Sequence, residues 1–93
     1  MNVHVVVGEE EISNGVIRLP THCPVKLGFD KALPKGWRSE VYDWDVKIWN
    51  AKGSVIWLRL PPIAESFVRI MDKGKPIPPR FEFDLWIPDP MFL

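Results

Sequence analysis

The sequence predicts a β-rich α+β domain: one small antiparallel sheet of about five or six strands, sandwich- or barrel-like, with at most one short helix near residues 63–73. An all-β sandwich is the alternative. Three observations point this way. Apolar and polar residues alternate with period two through residues 40–60 and again through 80–87. Asn14-Gly15 and Asn50-Ala51-Lys52-Gly53 carry the residue types of tight hairpin turns. The ten prolines sit at the ends of the periodic segments, with none inside them from Lys35 to Leu60.

In chain order, the Val-rich run Asn2–Val7 reads as a strand with Val3, Val5 and Val7 on one face. Asn14-Gly15 then suits a type I′ turn, because both residues tolerate positive φ; that turn pairs Ile12 with Ile17 and Glu11 with Arg18. The acidic run Glu9-Glu10-Glu11 reads as a solvated turn or strand end. Val25, Leu27 and Phe29 alternate as a further short strand before a turn through Pro34-Lys35-Gly36.

The segment from Glu40 to Leu60 is the most informative. A type I turn closed by a left-handed Gly53 fixes a register in which Ile48 faces Ile56, Val46 faces Leu58 and Trp44 faces Leu60. That all-apolar face is expected in the core. The other face pairs Trp49 with Val55, Lys47 with Trp57 and Asp45 with Arg59. A slip of one residue would oppose Lys47 to Ile56 and Asp45 to Leu58, which is poorer chemistry. Beyond Pro61-Pro62, apolar residues at 63, 67, 70 and 71 have the spacing of one helical face, with Glu65 and Arg69 four apart and Gly74 as the C-terminal cap. A strand over Phe67–Met71 is the competing reading, but its partner would contain Pro76, Pro78 and Pro79, which cannot donate to a ladder. Phe81, Phe83, Leu85 and Ile87 then alternate with Arg80, Glu82, Asp84 and Trp86 as a half-buried strand. The segment 88–93 is expected to be a rigid turn presenting Met91, Phe92 and Leu93.

Ninety-three residues suit one domain spanning 1–93. With 46% apolar residues the chain has a foldable composition despite its proline content. Twelve basic and twelve acidic side chains cancel, so the basic field that a nucleic-acid binder normally carries is missing. The lone Cys23 forms no intrachain disulfide, and no signal-like or membrane-spanning run occurs; a cytoplasmic protein is expected, with no membrane association.

Catalytic chemistry is weakly represented. His22 and Cys23 are adjacent, and neighbours in an extended segment point to opposite faces, so His22 is not placed to activate the thiol. His4, His22 and Cys23 match no structural zinc spacing. Asp43 and Asp45 are expected on one face of a strand, ion-paired with Lys47 and Arg59 rather than flanking a substrate cleft. We therefore expect no enzyme, no cofactor and no metal site.

The candidate site is the outward face of the central hairpin, with Trp49, Trp57, Lys47 and Arg59 as binding residues and Trp86 extending it from its own strand. Tryptophan and arginine are the residue types enriched at interface hot spots. The competing structural reading is that a second layer, or the 91–93 segment, covers these rings. The expected function is a small non-enzymatic protein-interaction module: an adaptor, an inhibitor or an assembly subunit. One alternative is a carbohydrate- or small-ligand-binding module, since indole faces stack on sugar rings. The other is a single-stranded nucleic-acid-binding domain, in which bases stack on aromatics beside cations. Exposed sheet edges also allow a homodimer.

Overall fold

The computed structural model describes residues 1–88; the expectation for Met91, Phe92 and Leu93 lies outside the described residues. In chain order the elements are β1 (Asn2–Val7), α1 (Glu9–Asn14), α2 (Pro24–Ala32), β2 (Arg38–Val41), β3 (Asp45–Trp49), β4 (Val55–Arg59), α3 (Pro62–Asp72) and β5 (Phe81–Trp86). The strands form two antiparallel sheets, a pair β1-β5 and a triplet β2-β3-β4. This overturns the expected single sheet of five or six strands, the sandwich or barrel, and the limit of one helix. The protein is a small α+β fold with three helices.

The error arises between β1 and β2, where the chain is helical. Glu9, Glu10 and Glu11 form the first turn of α1, and their charges complement the helix N-terminus. Glu11 is buried rather than solvated: its carboxylate accepts the Gly8 N–H at 3.2 Å and meets Lys31 of α2 at 3.1 Å. Those two partners, the backbone bond foremost, hold its pKa below the usual carboxylate value. Asn14-Gly15 ends α1 instead of turning a hairpin, and Gly15 has an ordinary φ of −75°. What that glycine supplies is space, since a Cβ there would lie 2.6 Å from the Pro24 ring. Arg18 has no strand partner in Glu11; its guanidinium donates to the Asp72 carbonyl at 3.1 Å.

The expected strand through Val25, Leu27 and Phe29 is α2. Pro24 occupies its first turn, where the missing N–H costs nothing, and Lys26 pairs with Asp30 one turn on. The buried stripe is Pro24, Val25, Gly28 and Phe29, a helical spacing with which the 25/27/29 alternation partly coincides. Gly28 is the point of closest approach: a Cβ there would stand 2.8 Å from the Val6 carbonyl oxygen and 3.1 Å from Val5 and Val7 side-chain carbons. α2 packs against both β1 and β2, and Phe29 meets Phe83 edge to face with centroids 5.6 Å apart. It thereby ties both sheets into one core, which includes Val3, Val5, Val7, Phe83 and Leu85 from one and Val41, Val46 and Ile48 from the other.

Other elements form as their patterns require. β1 buries Val3, Val5 and Val7, and β5 buries Phe83 and Leu85 with Ile87 just beyond it. The β3–β4 register matches the expected pairs from Asp45↔Arg59 to Trp49↔Val55. Asn50 Oδ1 accepts the Lys52 and Ser54 N–H groups at 3.0 and 2.9 Å, and Gly53 adopts the left-handed φ of 88°. The expected strand, however, breaks at Tyr42–Trp44, so that Arg38–Val41 folds back as β2 and Tyr42 N–H donates to the Asp45 carbonyl at 2.8 Å. Asp43 lies in this connection, so it does not share a strand face with Asp45. Leu60 N–H does bond the Trp44 carbonyl at 2.8 Å, but the Trp44 ring, expected in the core, is 48% exposed.

α3 is the expected helix with a rotated face: Ala64, Phe67, Val68 and Met71 are buried, while Ile63 and Ile70 are exposed. Phe67 stacks on Phe81 at 4.4 Å, and the Glu65–Arg69 pair closes at 3.0 Å. Gly74 N–H bonds the Met71 carbonyl and Lys75 N–H the Ile70 carbonyl, which is the Schellman arrangement. No described helix is long and apolar enough to cross a membrane.

Candidate functional site

The outer face of the triplet sheet is set by two registers. Arg38 pairs with Trp49 and Glu40 with Lys47 across β2–β3; Trp49 pairs with Val55, Lys47 with Trp57 and Asp45 with Arg59 across β3–β4. Side chains alternate across a strand, so these residues share one face, opposite Val41, Val46 and Ile48. Among the described residues no second layer covers it: Trp57 is 52% and Val55 47% exposed.

Its chemistry is aromatic and cationic. The Arg38 guanidinium and the Lys47 ammonium each lie 4.5 Å from the centroid of Trp49, and Lys47 also lies 5.3 Å from Trp57. Such contacts contribute about 0.5–1 kcal/mol each at exposed positions and hold the rings in place. Tyr42, directly after β2, packs on Trp57 with centroids 5.3 Å apart, and its hydroxyl donates to Glu40 at 2.7 Å. That bond to a carboxylate raises the Tyr42 pKa above its ordinary value. Arg59 is largely exposed and reaches Glu65 of α3 at 3.5 Å.

Trp49, Trp57, Lys47 and Arg59 therefore share one sheet face. Trp86 does not join them: it is on β5, in the other sheet, opposite Asn2. Sequence reasoning missed Arg38 and Tyr42, although both keep the period of two with Glu40; their membership depends on where the chain breaks between β2 and β3.

The outer face of the β1–β5 pair is built differently. His4 Nδ1 lies 3.0 Å from Asp84 and its Nε2 3.3 Å from Glu82, while Asn2 donates to Asp84 at 3.0 Å. The hydrogen bond to Asp84, the largest influence, raises the His4 pKa above 6.5. The bonds from Asn2 and then His4 lower that of Asp84, and Arg80 foremost lowers that of Glu82.

Two concavities of about 320 and 240 Å³ flank the Glu11–Lys31 pair, the first at the small end of ligand-pocket sizes and the second below it. Their central carboxylate is held by the Gly8 N–H on one oxygen and Lys31 on the other. Cys23 is buried at the start of α2, and that burial raises its thiol pKa, the opposite of an activated nucleophile. Among the described residues no group of three or more His, Cys, Asp or Glu is arranged to hold a metal ion. Comparison with protein-family models, with curated proteins and with solved structures finds no match to this chain.

Proposed function

We propose that the protein is a small non-enzymatic interaction module that docks another protein on the outer face of β2-β3-β4. The observation that carries this reading is the half-exposed Trp57, held by Tyr42 and Lys47 on a sheet face with no described covering layer. Rigid aromatic area beside arginine and lysine, rimmed by Glu40 and Asp45, has the composition of an interface hot spot with a polar margin. Large exposed apolar surface otherwise counts against solubility.

The same geometry ranks the alternatives lower. A sugar ring or a nucleobase needs an open indole face for stacking; two cations already sit over Trp49, which leaves the half-exposed Trp57 as the ring of this face able to take one. Arg38 brings the cations of the face to three with Lys47 and Arg59, against Glu40 and Asp45, so the face lacks a strong basic field. A reducing, cytoplasmic setting belongs to the same proposal and is supported by the single cysteine.

The test is affinity capture from a native lysate with the wild-type protein and a Trp57→Ala variant. A stoichiometric protein held by the wild type and lost by the folded variant is the expected result. Equal retention by both removes the face from the proposal, and retention by neither, with oligonucleotide or glycan binding instead, replaces the function.

A further inference from the structure

β4 differs from every other described strand in that none of its residues is buried. Val55 and Trp57 are exposed on one face, and Ile56 and Leu58 are only half-buried on the other. β4 is also an edge strand. The bonds Asn50 N–H to Ser54 O and Leu60 N–H to Trp44 O show which residues of β4 turn their backbone groups toward β3. By antiparallel alternation Ile56 and Leu58 do so, and Val55, Trp57 and Arg59 direct theirs outward.

The other edges are managed. Val41 N–H on the edge of β2 donates to the Pro20 carbonyl at 3.0 Å. Gly28 of α2 lies against the Val6 carbonyl of β1. β5 presents Glu82 and Asp84, the kind of charge that discourages edge pairing. Among the described residues no backbone group bonds the outward edge of β4.

We propose that this edge pairs antiparallel with β4 of a second copy about a twofold axis at Leu58, giving a continuous sheet with three strands from each chain. The axis follows from the complementarity of cation and indole along this edge. A cation already lies over an indole across each internal junction of the sheet, Arg38 over Trp49 between β2 and β3 and Lys47 over Trp57 between β3 and β4. With the axis at Leu58, Arg59 of each chain comes opposite Trp57 of the other and repeats the pattern at the new junction. An axis at Trp57 would set Arg59 against Val55, and one at Ile56 would set it against Gly53. On the inner face the Leu58 axis pairs Leu58 with itself and Ile56 with Leu60, all apolar. The outward amides and carbonyls of Trp57 and Arg59 exchange hydrogen bonds, and Pro61, which has no N–H, stops the ladder. The formal charge of zero removes net repulsion between copies. This inference rests on the edge of β4 and stands without the docking role of its face.

Sedimentation equilibrium of the full chain is expected to give twice the chain mass of 10.8 kDa. In a Cys23→Ala background, Leu58→Cys is expected to form an intermolecular disulfide, because a non-hydrogen-bonded pair sets Cα atoms about 4.5 Å apart, within disulfide reach. Ile56→Cys in the same background is expected not to cross-link. Arg59→Glu should weaken dimerisation at least about tenfold, and Arg59→Lys should preserve it. A monomer mass at every concentration overturns the proposal whatever the variants do. A dimer that cross-links through Ile56 and not Leu58, or is indifferent to Arg59→Glu, overturns this edge and register. Mass and cross-linking read the dimer alone, so their failure is separable from a failure to capture a partner on the face.

Discussion

The two sheets of this protein meet the same problem with different chemistry. Each has an inner face in the shared core and an outer face turned to water. Along β1–β5 that outer face carries His4 between Asp84 and Glu82, an ion-paired surface that water tolerates. On β2-β3-β4 the corresponding positions carry Trp49, Trp57, Tyr42 and Val55. Both solutions occur in one chain, so exposed indoles are not something this fold imposes on a solvent-facing sheet. The contrast is one of degree: Val6 and the exposed Trp86 lie on the first face, and charged residues such as Lys47 and Arg59 on the second.

If the first sheet is chiefly structural and the second chiefly a surface, substitutions should separate them. The largest effect is expected at Phe29, which is fully buried against Phe83. Phe29→Ala should cost about 3–5 kcal/mol in chemical denaturation, a loss comparable with the whole stability of a domain this small. Less than about 1 kcal/mol would show that α2 is not what joins the two sheets. Next come the two tryptophans of the outer face. Trp49→Ala should cost about 1–2 kcal/mol, because it releases the Arg38 and Lys47 stacks, and Trp57→Ala less than about 1 kcal/mol. The reverse order would mean that Trp57 supports the fold and would weaken its assignment to docking.

The smallest effect concerns pH. His4 has a folded-state pKa raised above 6.5, so its contribution is fully present below that value and is lost as the pH rises through the raised one. A histidine titration followed by NMR should place His4 above 6.5, and Glu82→Gln/Asp84→Asn should return it toward that value. Thermal stability of His4→Gln should lose this part of its pH dependence. The carboxylates act in the opposite sense: Asp84 and Glu82 have lowered values, and their contribution disappears as the pH falls through them. The His4 side chain is about half exposed, so the change in melting temperature should be slight and screened by salt.

What the sequence disclosed follows the range of the interactions. The β3–β4 hairpin was legible because its turn and both alternating strands lie within a short stretch, and each pair checks the next. β1 and β5 were each legible as strands, but nothing local says that Asn2 pairs with Trp86. The failures at α1 and α2 came from residues with two meanings. Asn14-Gly15 has turn chemistry, yet the glycine is there to admit the Pro24 ring. Val25 and Phe29 fit a period of two as well as a helical stripe, and the helix is favoured by Pro24 in its first turn, the Lys26–Asp30 pair and Gly28 against β1. Of the candidate site, the residues inside the hairpin were found, and Arg38 and Tyr42 were not, because they reach it through the β2–β3 register.

The pairing of β1 with β5 also imposes a timetable on synthesis. β1 leaves the ribosome long before the strand that completes it, and at typical elongation rates it waits on the order of ten seconds. Through that interval Val3, Val5 and Val7 have no strand to lie beside. The β3–β4 hairpin, in contrast, closes within about microseconds of emerging. A nascent chain arrested before Phe81 should therefore hold a formed hairpin and an unpaired, valine-rich segment, the form in which this protein is most open to chaperones and to aggregation.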